Sequence, residues 1–213
     1  MSDSPYHYYV VNKPYNMVSQ FVSPHEVKLL SDLDFNFPEN THAVGRLDNH
    51  SEGLLILTTN KKVTRLLFQS LIPHRRTYLV QVKNKVSQEN VALLREGVFI
   101  KIENGLQYKT PPCEVHLIED PERIYSYNNG LKNYSPSSWL LITLKEGKYH
   151  QVRKMVASIR HRCKRLIRIS IEDLTLGDLA PGSMKEYEES EFFSLLHIND
   201  HSMAIPVAAT LSS

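Results

Sequence analysis

Cysteine is nearly missing from this chain: Cys113 and Cys163 are the only two in 213 residues, and no CxxC spacing occurs. That argues against a disulfide framework and reads as two reduced thiols in a cytosolic protein. Long apolar runs are missing too. No stretch approaches the roughly 18 residues that cross a bilayer. The opening MSDSPYHYYVVNKP has neither a basic n-region nor an apolar h-region, so neither a membrane span nor a secretory signal is expected. A glycine-rich phosphate loop, a GxSxG elbow and a dinucleotide fingerprint are all absent. Ten histidines occur, but His42, His50, His150 and His161 show no HxxxH-type spacing with a nearby carboxylate, so no metal site and no cofactor are expected.

What remains is an ordinary globular composition, 41% hydrophobic and 23% charged, on a chain long enough for a sizeable core. One domain over residues 1–213, with two lobes around one cleft, is the expected organisation. The net charge of +2 says little, but its placement says more. From His150 to Arg168 there are seven Lys or Arg and no acid, whereas Lys185 to Asp200 holds five acids against one lysine. Such a basic segment invites an anionic partner, with nucleic acid the default. A solvated helix face would read the same way on charge alone.

Periodicity predicts a strand at 8–12 stopped by Lys13-Pro14, and a buried strand at 53–59 bounded by Gly and Asn. Asn60 caps an expected helix to Leu71, with Val63, Leu66, Leu67 and Leu71 at helical spacing, and Pro73 ends it. Further strands are predicted at 77–83, 98–102, 113–119, 139–144 and 166–171, and helices at 87–96, 150–161 and 190–198. Residues 120–138 carry no period and read as a surface insertion loop. Strands outnumber helices and are joined by short turns, which favours an α+β fold with a mainly antiparallel sheet.

Four places hold candidate chemistry. In GRLDNHSEGLLILTTN, Leu47 can turn to the core while Arg46 and Asp48 face the other way. An aspartate framed by a buried strand is pre-positioned, as a catalytic group must be, although a turn or cap aspartate would look similar. In HQVRKMVASIRH the stripe is Val152, Met155, Val156 and Ile159; Arg153 lies at its edge and Lys154 opposite. Arg153 could therefore lean into a cleft and pair with Asp48, or simply snorkel. Tyr78 opens a strand behind the basic turn His74-Arg75-Arg76 and could offer a ring face or a hydroxyl. The basic run through Arg162, Lys164 and Arg165 could lie along phosphates.

Taken together, VNKPYNMVSQF, VGRLDNHSEGLLILTTN, RRTYLVQV, SSWLLITLKEGKYHQVRKM and RLIRISI resemble the RNA pseudouridine synthases of the RsuA/RluB/RluE/RluF branch. The resemblance runs from residue 10 to about 184. It implies the pseudouridine synthase fold, with a mixed, mainly antiparallel sheet flanked by helices around a central cleft. It is closest to the standalone type, without the S4 RNA-binding domain, that modifies large-subunit (23S) ribosomal RNA. It also implies roles: Asp48 as the essential aspartate, Tyr78 as the active-site tyrosine and Arg153 as the aspartate's basic partner. Arg46 would lie against the RNA, joined there by Arg75, Arg76, Lys154, Arg162, Lys164 and Arg165. Leu47, Leu55 and Leu166 would line the pocket. Two places depart from the family: Arg160 to Lys164 replaces a Gly-Phe-Pro-like loop and an apolar residue, and Glu172 stands where glycine is usual.

The implied reaction breaks N1–C1′ of a uridine, turns the uracil and joins its C5 to C1′. A carboxylate is needed at the ribose, as nucleophile at C1′ or as base at C2′, and the sequence leaves both routes open. Tyr78 would take or relay the C5 proton. The base must leave its stack, and basic side chains near Arg46 would offset that cost. The expected partner is ribosomal RNA or a large-subunit assembly intermediate, bound by a monomer. Two rivals stand beside this reading. One is a nucleoside or glycoside hydrolase using Asp48 and Glu52. The other is an inert RNA-binding or ribosome-assembly module.

Overall fold

A computed structural model describes residues 4–68, 73–128 and 136–198. In chain order the elements are β1 (Tyr8–Lys13), β2 (His42–Val44), β3 (Glu52–Thr58), α1 (Lys62–Phe68), β4 (Arg76–Lys83), α2 (Gln88–Glu96), β5 (Phe99–Lys101), β6 (Gln107–Lys109), β7 (Glu114–Ile118), β8 (Ser137–Leu144), α3 (Gln151–Ser158), β9 (Cys163–Ile171), β10 (Leu174–Thr175), β11 (Met184–Tyr187) and α4 (Glu189–Leu195). One nine-stranded sheet runs β11-β1-β3-β9-β4-β8-β7, with β2 on β3 and β10 on β9, and β5 and β6 form a separate hairpin. Its pairs are antiparallel apart from β3 with β9, which run parallel. The fold is α+β with a mostly antiparallel sheet.

Register determines what each face of the sheet carries. Successive pairings place Lys13, Gly53, Arg168, Tyr78, Ile142 and Val115 in one row across six strands, hence on one face. On that face α2 and α3 pack over Val80, Leu140, Ile142 and Leu166, while Tyr9, Val11, Leu47, Leu55 and Leu57 form a second cluster. Between the two clusters the row is polar, at Lys13, Arg168 and Tyr78. The opposite face buries Val10, Leu54, Ile56, Leu79 and Ile167 under α1, α4 and the turns beside them. A seam between two apolar blocks is thus written into the strand alternation.

The helices follow their sequence signals. Ser87 Oγ accepts from the backbone of Asn90 at 3.3 Å and caps α2, and Gly97 closes that helix at φ +92°. All four residues of the α3 stripe are buried. Asn60 Oδ1 accepts from the Lys62 backbone at 3.1 Å at the head of α1; the expected end of that helix at Leu71 lies outside the described residues. Four strands went unforeseen (β2, β6, β10 and β11) because each has only two to four residues and is set by its pairing partner. Lys13, expected to stop β1, is instead its last residue and is wholly buried.

The expected surface loop at 120–138 is shorter at its C-terminal end. Ser137 and Ser138 open β8. Tyr125 is buried against the sheet, where its hydroxyl accepts from Asn12 Nδ2 at 3.1 Å. Residues 129–135 lie outside the described residues.

Candidate active site

Asp48 lies in the turn that leads into β3. Its backbone carbonyl accepts from Ser51 N at 2.9 Å, closing the turn. Ser19 clasps the preceding residue from the side: its Oγ accepts from Leu47 N at 3.0 Å and donates to Leu47 O at 2.9 Å. Below, Lys13 Nζ donates to the carbonyls of Pro14, Met17 and Asn49. Burial pulls the Lys13 ammonium down from its usual 10.5 to about 8, against the pull of Glu52 and Asp48. Gly53 follows at φ +97°, and a Cβ there would collide with the backbone of Arg168 on the parallel strand. These contacts fix the height and angle of the Asp48 side chain.

Arg153, on the first turns of α3, reaches across the seam. Its Nε stands 3.5 Å from Asp48 Oδ2, and its Nη2 donates to His50 O at 2.9 Å and Ser51 Oγ at 3.1 Å. Ser51 Oγ in turn lies 3.4 Å from Asp48 Oδ2, so serine and arginine brace one carboxylate oxygen. His150 approaches the other, with Nε2 3.4 Å from Oδ1. Its ring stacks on Tyr149, and its left-handed backbone at φ +55° precedes α3. Cys163 lies 3.7 Å from Arg153 Nη1, and burial pushes its thiol up to about 11, so it stays neutral beside the pair.

Tyr78 is half-buried and lines a cleft of about 720 Å³ together with Arg46, Arg76, Arg168, Lys145 and Lys148. Arg46 is exposed at this wall two residues before Asp48, and Tyr149, next to His150, borders the same cleft. Asp48 and Arg153 thus form one pair, Tyr78 and Arg46 line one cleft, and the chain links the two through Arg46-Leu47-Asp48 and Tyr149-His150.

The other expected residues differ in where they lie. Arg165 does not join the face that carries Arg168 and Tyr78. It sits on the opposite face of the sheet, where it chelates Glu52 at 2.8 and 2.7 Å and covers the ring of Tyr125. Glu52, the second carboxyl of the hydrolase reading, is thereby committed to a structural pair on the other face of the sheet from Asp48. Arg75 is exposed but tied to Glu172, whose carboxylate also takes the Arg75 backbone N–H at 2.6 Å. Arg76 is buried rather than displayed, with its guanidinium 4.8 Å from the Phe68 ring centre. Lys154 stands over Tyr149. Arg162 lines a shallow hollow of about 400 Å³ with Arg153 and Cys163, and Lys164 is half-buried beside it in β9.

Leu55 is completely enclosed in the cluster that also holds Leu47, so it supports the site from beneath and offers a base no surface. Leu47 and Leu166 are nearly buried at the edges of the two apolar blocks flanking the seam. Both departures from the family sit on left-handed backbone, Arg160 at φ +63° and Glu172 at φ +47°. Side-chain contacts hold them instead of glycine: Glu172 grips Arg75, and His161 bonds the Lys83 carbonyl at 2.8 Å.

Sequence reasoning missed Lys13, Ser19 and Ser51, and weighed His150 only as a metal ligand. Lys13 had a signal, a lysine directly after the apolar run YYVV. The serines had none. Among the described residues no group of three or more His, Cys, Asp or Glu is placed to hold a metal ion.

Comparison with known proteins gives the family and the fold. Ribosomal large subunit pseudouridine synthase E of Vibrio parahaemolyticus is 38% identical over 182 residues, covering 84% of this chain and 73% of that protein. The protein of the same name from Xanthomonas axonopodis pv. citri is 32% identical, covering 81% and 89%. A crystal structure of a pseudouridylate synthase superposes with a TM-score of 0.72 over 92% of this chain and 75% of that one, at 24% identity, and so shares the fold. The family profile described as RNA pseudouridylate synthase matches residues 7–158, and the chain belongs to that family.

Proposed function

We propose that this protein isomerises a uridine of large-subunit ribosomal RNA, of the 23S type, to pseudouridine, acting as a cytoplasmic monomer on the free RNA or an assembly intermediate. The observation that carries the reading is the Asp48–Arg153 pair, held open at the seam by Ser51 and His150. In this reading Asp48 engages the ribose as N1–C1′ breaks and the uracil leaves with the bond's electrons, as a delocalised anion. The uracil turns and C5 joins C1′. The C5 proton then departs to Tyr78, directly or through water, and the base stays on the strand. Arg153 orients the carboxylate and balances its charge away from bulk water.

The assay is release of tritium from C5 of uridine in large-subunit ribosomal RNA, with pseudouridine mapped in cells with and without the protein. Tritium release with the base retained is expected, and Asp48→Asn should abolish it while RNA still binds. Free uracil in the medium would replace isomerisation by hydrolysis. Full activity in Asp48→Asn would overturn the mechanism, and an undiminished cellular role with no tritium release would leave an inert binding module.

A further inference from the structure

Two arginines among the described residues are buried, Arg76 at 6% exposed and Arg168 at 3%, and both line the 720 Å³ cleft beside Tyr78. Buried guanidinium groups are ordinarily paired with an acid, because an isolated charge out of water is costly. Neither of these has a carboxylate within ion-pair distance among the described residues, whereas Arg75, Arg123, Arg153 and Arg165 all do. Arg168 Nε donates to Leu54 O at 2.8 Å, but its Nη2 is fully buried with no hydrogen-bond partner among the described residues.

The rest of the wall adds positive charge. Arg46, Lys145 and Lys148 line the same cleft, also without an acid partner among the described residues. The one carboxylate in the wall, Glu146, is turned to Tyr108 Oη and Gln151 Nε2, each at 2.6 Å. Burial lowers the proton affinity of Arg76; Tyr78 and the more distant Glu172 pull it up, and the neighbouring Arg168 pulls it further down. Five permanent cations around a hollow large enough for a nucleotide lack only an anion.

We propose that this cleft is a phosphodiester subsite, in which the guanidinium groups of Arg168 and Arg76 at the floor and Lys145 and Lys148 at the rim grip an RNA backbone phosphate adjacent to the flipped uridine. Phosphate fits the donors: guanidinium forks bind it bidentately, and lysines meet it as point charges. The position fits as well. Arg168 is register partner to both Gly53 and Tyr78, so the floor lies one strand, about 4.8 Å, from the start of β3, just beyond the Asp48 turn. This inference rests on the RNA-modifying reading and adds to it the means by which the strand is clamped.

The test is RNA binding by the full chain carrying Asp48→Asn, so that no chemistry contributes. Uridine-containing stem-loops with single methylphosphonates flanking the target are titrated over a salt series. One neutral position should cost about tenfold in affinity, and that cost should vanish when Arg168→Lys is added, since lysine can still reach the Leu54 carbonyl but lacks the second donor. Adding Lys145→Gln and Lys148→Gln together, both at the exposed rim, should make the salt slope shallower by about one. If Arg168→Lys fails to fold, the rim pair must show the same loss of methylphosphonate sensitivity.

Equal sensitivity in parent and variants overturns the subsite. So does competition by inorganic phosphate without any methylphosphonate effect, because the cleft would then take a free anion. Normal tritium release with no such coupling discards the subsite alone. Coupling without tritium release discards the isomerase and keeps the subsite.

Discussion

Two arginine–carboxylate pairs start four residues apart in the sequence and end on opposite faces of one sheet. Glu52 with Arg165 is the tight one: 2.7 Å, side chains 3% and 10% exposed, two parallel hydrogen bonds. Asp48 with Arg153 is the loose one: 3.5 Å, 34% and 23% exposed, with serine and histidine filling the remaining angles. Both acids come from one segment, residues 48–52, but Asp48 takes its arginine from α3 and Glu52 from β9. The tight pair is closed and satisfies itself. The loose pair leaves its acid about a third exposed, so a ligand can reach the carboxylate. Distance and exposure, rather than residue type, separate the pair that holds the fold from the pair that can do chemistry.

Removing each acid or base should split along that line. Asp48→Asn should lower the isomerisation rate by a factor on the order of 10⁴ or more. Its unfolding free energy should change by no more than about 0.5 kcal/mol, because the side chain is part-exposed and belongs to no core cluster. Arg165→Met should do the reverse. It takes both guanidinium hydrogen bonds from the buried Glu52 carboxylate and should cost about 3–5 kcal/mol in urea unfolding, with the rate of the remaining folded enzyme nearly unchanged. Much of that loss should return in the double variant Glu52→Gln/Arg165→Met. A large rate defect in that folded double variant would dissolve the distinction between the pairs.

How much of this was legible in the sequence follows from the range of each interaction. The buried strand after Asp48, the stripe of α3 and the caps of α2 are local patterns, and they appear where the residues indicate. Arg153 at the stripe's edge was readable because helical geometry alone sets it there. Arg165 was misread because its direction depends on strand parity within β9. That strand begins three residues before the apolar run and carries a register shift against β4, between Gln81 and Val82. One residue of parity moves a side chain to the other face of the sheet. Ser19 was illegible as a site residue, and the partners of Lys13 were too, because they are backbone amides and carbonyls, which no residue type announces. The buried pair of Arg76 and Arg168 required knowing that β4 and β9 are neighbours.

Lys13 extends the comparison from the pairs to the base beneath the Asp48 turn. Its ammonium binds a proton less tightly folded, at about 8, than its usual 10.5, so the unfolded chain holds more protons between those values. Stability from this group therefore rises with pH across that window, by about 3 kcal/mol, and is flat below it. Unfolding free energies of wild type and Lys13→Met, measured from pH 7 to 10.5, should show wild type gaining on the variant by that amount. A constant difference would mean that the three carbonyls hold the Lys13 proton as firmly as water does, and that the amine frames the turn as a permanent cation.

The smallest expected effect tests whether the loose pair depends on its braces. Ser51→Ala removes the hydroxyl between Arg153 Nη2 and Asp48 Oδ2 and leaves the backbone bond from Ser51 N to Asp48 O in place. Arg153 keeps its bond to His50 O, so the guanidinium stays near but loses one of the contacts that set its angle. The rate should fall about tenfold, corresponding to about 1.4 kcal/mol, with a stability loss of about 1 kcal/mol for one neutral hydrogen bond. If Ser51 acted only on the fold, the stability change would appear alone and kcat would hold. A fall in kcat that Ser51→Thr restores, with its hydroxyl in the same place, assigns the residue to positioning the carboxylate.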